Sequence, residues 1–183
     1  MLRKKYQISL CLLLAVVFLL TGCVTHYRVT HELETYVNLD EGVFIEPIVD
    51  GLPADTDPDK RPSPADLQKL VYHIGAKLCD ELRTPIRDVG ENKSIYTVSG
   101  TVLSYKKGSG FLRFMFGFLG HAKVTVDLKL TETATGETLF AANFQQTVSD
   151  WAESGDKMFE RVAKDFAKAI KKQLKKLEQQ EVS

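Results

Sequence analysis

Hydrophobic and polar positions alternate most cleanly from Ala122 to Thr133, where Val124, Val126, Leu128 and Leu130 interleave with Lys123, Thr125, Asp127 and Lys129. That period of two predicts a strand with one buried and one wet face. Thr135-Gly136 supplies a turn, and Thr138 to Val148 returns as its hairpin partner. Ser94 to Tyr105, rich in Ile, Tyr, Thr and Val, reads as a preceding strand. Val43 to Val49 reads as the first, with Pro47 favouring a sheet edge or a strand end. Twice the period changes to that of a helix. Leu67, Leu70, Val71, Ile74, Leu78 and Leu82 form one apolar stripe behind Ser63-Pro64-Ala65-Asp66, a helix start with Ser63 as N-cap, and Thr84-Pro85 stops it. Phe159, Val162, Ala163, Phe166, Ala167, Ile170, Leu174 and Leu177 form a second stripe on a helix from near Ser154 to about Leu177. The economical packing is an α+β fold, a mostly antiparallel sheet with two helices packed on one face. Ile74, Leu78, Phe166 and Ile170 then share one core.

The amino terminus follows neither period. Ile8 to Leu20 is thirteen residues without a charge, preceded by Arg3-Lys4-Lys5 and closed by Leu20-Thr21-Gly22-Cys23. A basic start, an apolar run of about 7–15 residues and a small-residue site describe a secretory signal peptide. The run is short of the roughly 20 residues of a membrane span. Because the site ends in cysteine, it resembles the lipobox of bacterial lipoproteins. The resemblance implies cleavage between Gly22 and Cys23, removal of residues 1–22, and lipidation of Cys23. Val24 rather than Asp follows the cysteine, which in that class implies transport to the periplasmic face of the outer membrane of a Gram-negative envelope. Residues 23–42, polar and without periodicity, read as the lipidated cysteine and a tether. Residues 43–178 form a single periplasmic domain, and 179–183 a tail.

Charge and chemistry narrow the function by exclusion. Removing the signal peptide takes away three basic residues and no acidic one. That leaves 21 Lys+Arg against 24 Asp+Glu, a formal net of −3 over 161 residues. Such a balance gives no electrostatic footprint for nucleic acid. Cys79 is then the lone thiol; it sits among apolar helix positions and reads as buried and inert. Asp55-x-Asp57-x-Asp59 has calcium-loop spacing, but Lys60 stands where the turn glycine belongs and Asp66 where a bidentate Glu belongs. No metal is expected. There is no nucleophile elbow, no phosphate loop and no helical histidine pair, so neither an enzyme nor a cofactor is expected. The lysines near the carboxyl end, Lys168, Lys171, Lys172, Lys175 and Lys176, read as a solvated face suited to a helix terminus. Contact with anionic headgroups or cell-wall polymer is the alternative.

One segment lacks a solvent face. Between the second and third strands, Gly108 to Gly120 holds Phe111, Phe114, Phe116 and Phe118, four of the ten phenylalanines, with Arg113 its lone charge. Read as strand or helix, it must meet the core, the membrane or another chain. These five residues are the candidate interaction site, through a protein partner or self-association.

Gly100-Thr101-Val102, Gly108-Ser109-Gly110 with Arg113, Gly117 to Gly120, the strand Ala122 to Leu130 and Thr135-Gly136 resemble an uncharacterised family of bacterial lipoproteins known as a domain of unknown function. The resemblance covers roughly residues 43–175, and the phenylalanines of the glycine-rich connection depart from the pattern. It implies an architecture similar to the TolB amino-terminal domain and the core of the curli secretion channel, which bind proteins or assemble into rings. The expected function is a lipid-anchored periplasmic protein-binding or scaffolding lipoprotein. The alternative is a subunit of an oligomeric outer-membrane secretion or channel assembly.

Overall fold

A computed structural model describes residues 26–87, 96–109, 121–148 and 156–181. In chain order these form strands β1 (His26–His31), β2 (Val43–Ile45) and β3 (Val49–Asp50), then helix α1 (Pro64–Leu82). Strands β4 (Ile86–Arg87), β5 (Tyr96–Lys106), β6 (Ala122–Glu132) and β7 (Thr138–Val148) follow, and helix α2 (Asp156–Glu181) ends the described chain. One seven-stranded sheet runs β1-β7-β6-β5-β2-β4, with β3 also paired to β5.

The long antiparallel meander β5-β6-β7 follows from the alternation in its sequence. Val124, Val126, Leu128 and Leu130 are buried while Lys129 is exposed. Gly136 turns the β6–β7 hairpin at φ +72°, and its N–H donates to the Glu132 carbonyl at 2.9 Å. A bulge between Val102 and Ser104 re-phases β5 and leaves Leu103 exposed. The fold is α+β with both helices on one face, as the two stripes predict. Ile74, Leu78, Phe166 and Ile170 all lie in the shared core, with Phe166 packed edge-on to Phe144 at a 5.9 Å ring separation.

Helix α1 starts where its capping residues predict. The Ser63 hydroxyl accepts the Asp66 N–H at 3.2 Å, and the Asp66 carboxylate accepts the Ser63 N–H at 3.0 Å. It ends at Arg83, which adopts a left-handed φ of 57° and donates its N–H to the Cys79 carbonyl. The helices run side by side in the same direction, joined by Lys69–Asp156 at 2.8 Å, Lys77–Glu160 at 3.2 Å and Lys171–Glu81 at 3.1 Å.

Four expectations are corrected. The segment expected as a tether enters the sheet: His26–His31 is an edge strand antiparallel to β7, and Leu33, Val37 and Leu39 join the core. Expecting one strand over Val43–Val49 is half right. Pro47 divides it into β2 and β3, both parallel to β5, with Ile48 buried between them. Cys79 is exposed, one position round the helix from buried Leu78. The expected tail begins inside α2, which continues to Glu181.

Candidate functional site at the amino-terminal end of the sheet

Lys106, Ala122 and Val148 mark one end of the sheet: Lys106 pairs with Lys123, and Ala122 with Val148. Strand β1 begins near the same end, because His26 pairs with Gln145. Both helices also begin there. The Tyr105 hydroxyl donates to Asp66 at 3.2 Å, and Lys69 pairs with Asp156 at the first turn of α2.

The electrostatics at this end fasten rather than react. Burial works to raise the Asp66 carboxyl, but hydrogen bonds from the Ser63 side chain and backbone and from Tyr105, with Lys107 nearby, hold it below the ordinary value. Burial and the facing Asp66 push the Tyr105 phenol well up, so it stays a donor. The His73 imidazole is lowered by burial, against the pull of Glu160 and Asp156, and its ring meets Tyr72 edge-on at 5.6 Å. Deeper in, the amide of Gln146 donates to Asp165, whose carboxyl is raised by burial despite Lys168, Lys164 and Arg161. Asp66, Tyr105 and Asp165 each have a structural bond to make, and among the described residues no cluster of three His, Cys, Asp or Glu can hold a metal. In the aspartate-rich loop, Asp50 is taken by Arg61 at 2.7 Å and Asp57 caps a short 3-10 turn.

Gly22, Cys23, Phe111, Arg113, Phe114, Phe116 and Phe118 lie outside the described residues. Their points of attachment do not. Cys23 is three residues before His26, a reach of about 10 Å at full extension. The phenylalanine connection leaves the described chain after Ser109, just beyond β5, and rejoins it at His121, just before β6. With strands about 4.8 Å apart, β1 and β5 are separated by roughly 14 Å across β7 and β6. The proposed lipid site and the phenylalanine connection therefore attach at one end of the sheet.

A second feature escaped the sequence reading. A shallow apolar groove of about 510 Å3 runs between α1 and the β2–β4 edge, lined by Phe44, Tyr72, Gly75, Cys79, Ile86 and Arg87. Its signal was Tyr72, an aromatic off the apolar stripe that is 72% exposed. Among the described residues no helix is long and apolar enough to cross a membrane.

The model of the family described as Domain of unknown function (DUF4410) matches residues 48–149, more than half of the chain. The chain belongs to the DUF4410 family. The family match takes in β3 through β7 with α1, and leaves β1, β2 and α2 outside it. No curated protein matches the chain. Among solved structures, it is similar to the PelC dodecamer from Paraburkholderia phytofirmans at 13% identity and TM-score 0.57, covering 79% of this chain and 98% of that one. A PelC L103M dodecamer from the same organism gives 15% identity and TM-score 0.56, covering 80% and 97%. Protein XCC0632 from Xanthomonas campestris, of the family DUF330, gives 9% identity and TM-score 0.48, covering 85% and 98%. At these identities the PelC likeness is one of fold.

Proposed function

We propose that this DUF4410 member is a lipid-anchored, non-catalytic lipoprotein of the periplasmic face of the outer membrane, scaffolding or binding protein partners at the bilayer surface. The observation that carries it is the register of β1. The chain joins the sheet at His26, three residues after Cys23, so the domain stands directly on its anchor instead of hanging from a long tether. Several acyl chains at about 0.8 kcal/mol per buried CH2 make such attachment effectively permanent. The phenylalanine connection attaches at the same end, and its Phe111, Arg113, Phe114, Phe116 and Phe118 are the proposed contact with a neighbouring chain.

A second reading makes the protein a subunit of an oligomeric outer-membrane secretion or channel assembly. It draws on the PelC structures, which are described as dodecamers, and on the resemblance to the curli channel core. In both readings the chain meets other copies or partners close to the membrane.

The test has two arms. Cys23→Ser should abolish incorporation of labelled palmitate and release the protein from membranes; undiminished labelling would end the lipoprotein reading. The chain from Val24 onward should associate in solution by light scattering, and Phe114→Ser with Phe116→Ser should return it to a monomer without lowering its melting temperature. A monomeric wild type, with a double mutant that loses several degrees, would make the segment core.

A further inference from the structure

The outward face of α2 is built for a charged partner. Lys164, Lys168, Lys172 and Lys175 recur at helical spacing and are all exposed. At 1.5 Å per residue they form a row about 16 Å long, opposite the buried stripe of Phe159, Val162, Phe166 and Ile170. Asp165 is the one acidic residue between Lys164 and Leu177, and it is turned inward to Gln146. Lys171 and Lys176 flank the row and are engaged by Glu81 and Glu32. No carboxylate among the described residues lies within ion-pair distance of the four lysines in the row.

Helix stability does not account for this arrangement. Like charges four residues apart oppose helix formation. The favourable effect of cations on the helix dipole is confined to the last turn, whereas Lys164, Lys168 and Lys172 lie two or more turns before Glu181. The row also sits far from the anchored end. Lys175 is 19 residues beyond Asp156, about 28 Å along the helix, and Lys176 reaches Glu32 just past the far end of β1. Lys164, the nearest of the row, is 8 residues beyond Asp156, about 12 Å. Lys175 lies several times farther than the roughly 8 Å over which charges act at physiological salt, so most of the row is out of range of headgroups beneath the anchored end.

We infer that this row is a binding surface for a linear acidic polysaccharide on the side away from the anchoring membrane. A glycan fits because the row offers helically spaced point charges along an open cleft of about 550 Å3, which Lys168, Lys172, Lys175 and Gln179 line together with Glu32 at its edge. The row itself carries neither the Trp, Tyr and Arg anchors that dominate protein hot spots nor the aromatic platforms that stack nucleic-acid bases. The placement relative to the membrane rests on the anchoring reading above; the charge row does not.

The test uses the full chain purified in mild detergent, with alginate, neutral dextran, poly-glutamate and phosphatidylglycerol vesicles as probes. Alginate should bind, dextran should not, and the alginate affinity should fall with salt. Lys168→Gln, Lys172→Gln and Lys175→Gln together should weaken it on the order of tenfold and flatten its salt dependence, as expected when three released counterions are lost. Unchanged helical circular dichroism confirms that the triple variant is folded. Absent alginate binding, an unaffected triple variant, or tighter binding to poly-glutamate or the vesicles would each overturn the inference. Failure of the anchoring reading shows separately, as a wild type without palmitate label whose alginate affinity is unchanged.

Discussion

A side chain at position 100 has nowhere to go. A Cβ on Gly100 would lie 2.5 Å from Leu128 Cδ2, 2.8 Å from Ile48 Cδ1 and 3.0 Å from the Asp127 carbonyl. The glycine lets Ile48 cross β5 where the divided first strand resumes, and Gly100→Ala should cost about 1–3 kcal/mol by urea denaturation. Equal stability would mean that Ile48 moves aside freely. Asp165 makes the opposite case, a residue the fold tolerates at a cost. Its folded-state carboxyl is raised by burial, so its stabilising contribution is present below the unfolded value and lost as pH rises through the raised one. Asp165→Asn keeps an acceptor for Gln146 without the buried charge. It should melt higher than wild type at pH 7, with the difference closing as pH falls through the raised value and gone below about 3.9. A variant melting lower at pH 7 would mean that Lys168, Lys164 and Arg161 outweigh burial.

At the scale of elements, the helices were legible because each has one stripe and a recognisable start. Phe166, fully buried against Phe140 and Phe144, should cost about 3–5 kcal/mol on truncation to Ala, whereas exposed Tyr72→Ala should cost little. Comparable costs at both positions, measured by denaturant midpoint, would contradict this packing. The β6–β7 hairpin was legible for the same reason, alternation closed by a glycine turn. Strand β1 was not. His26 to His31 mixes polar and apolar residues because an edge strand is held by backbone bonds to one neighbour, which ask for no particular side chain. The division of Val43–Val49 was half legible: Pro47 marked the break, but not that both pieces pair with β5.

For the whole molecule, the sequence by itself determined the α+β class, the two core-facing helices, the meander and a lipobox-like leader. All of these are written in local periods, caps and short motifs that act over a few residues. Only the tertiary structure decided that β1 closes one edge of the sheet, that β2 and β4 lie parallel at the other, and which groups share an end. Pairing residue 26 with 145, or 43 with 96, spans chain separations over which no local pattern carries information. The tertiary structure therefore gathers the attachment points of Cys23 and of the phenylalanine connection at one end and sets the lysine row of α2 toward the other. Strand register fixes position along the sheet, while composition records only which residues are present.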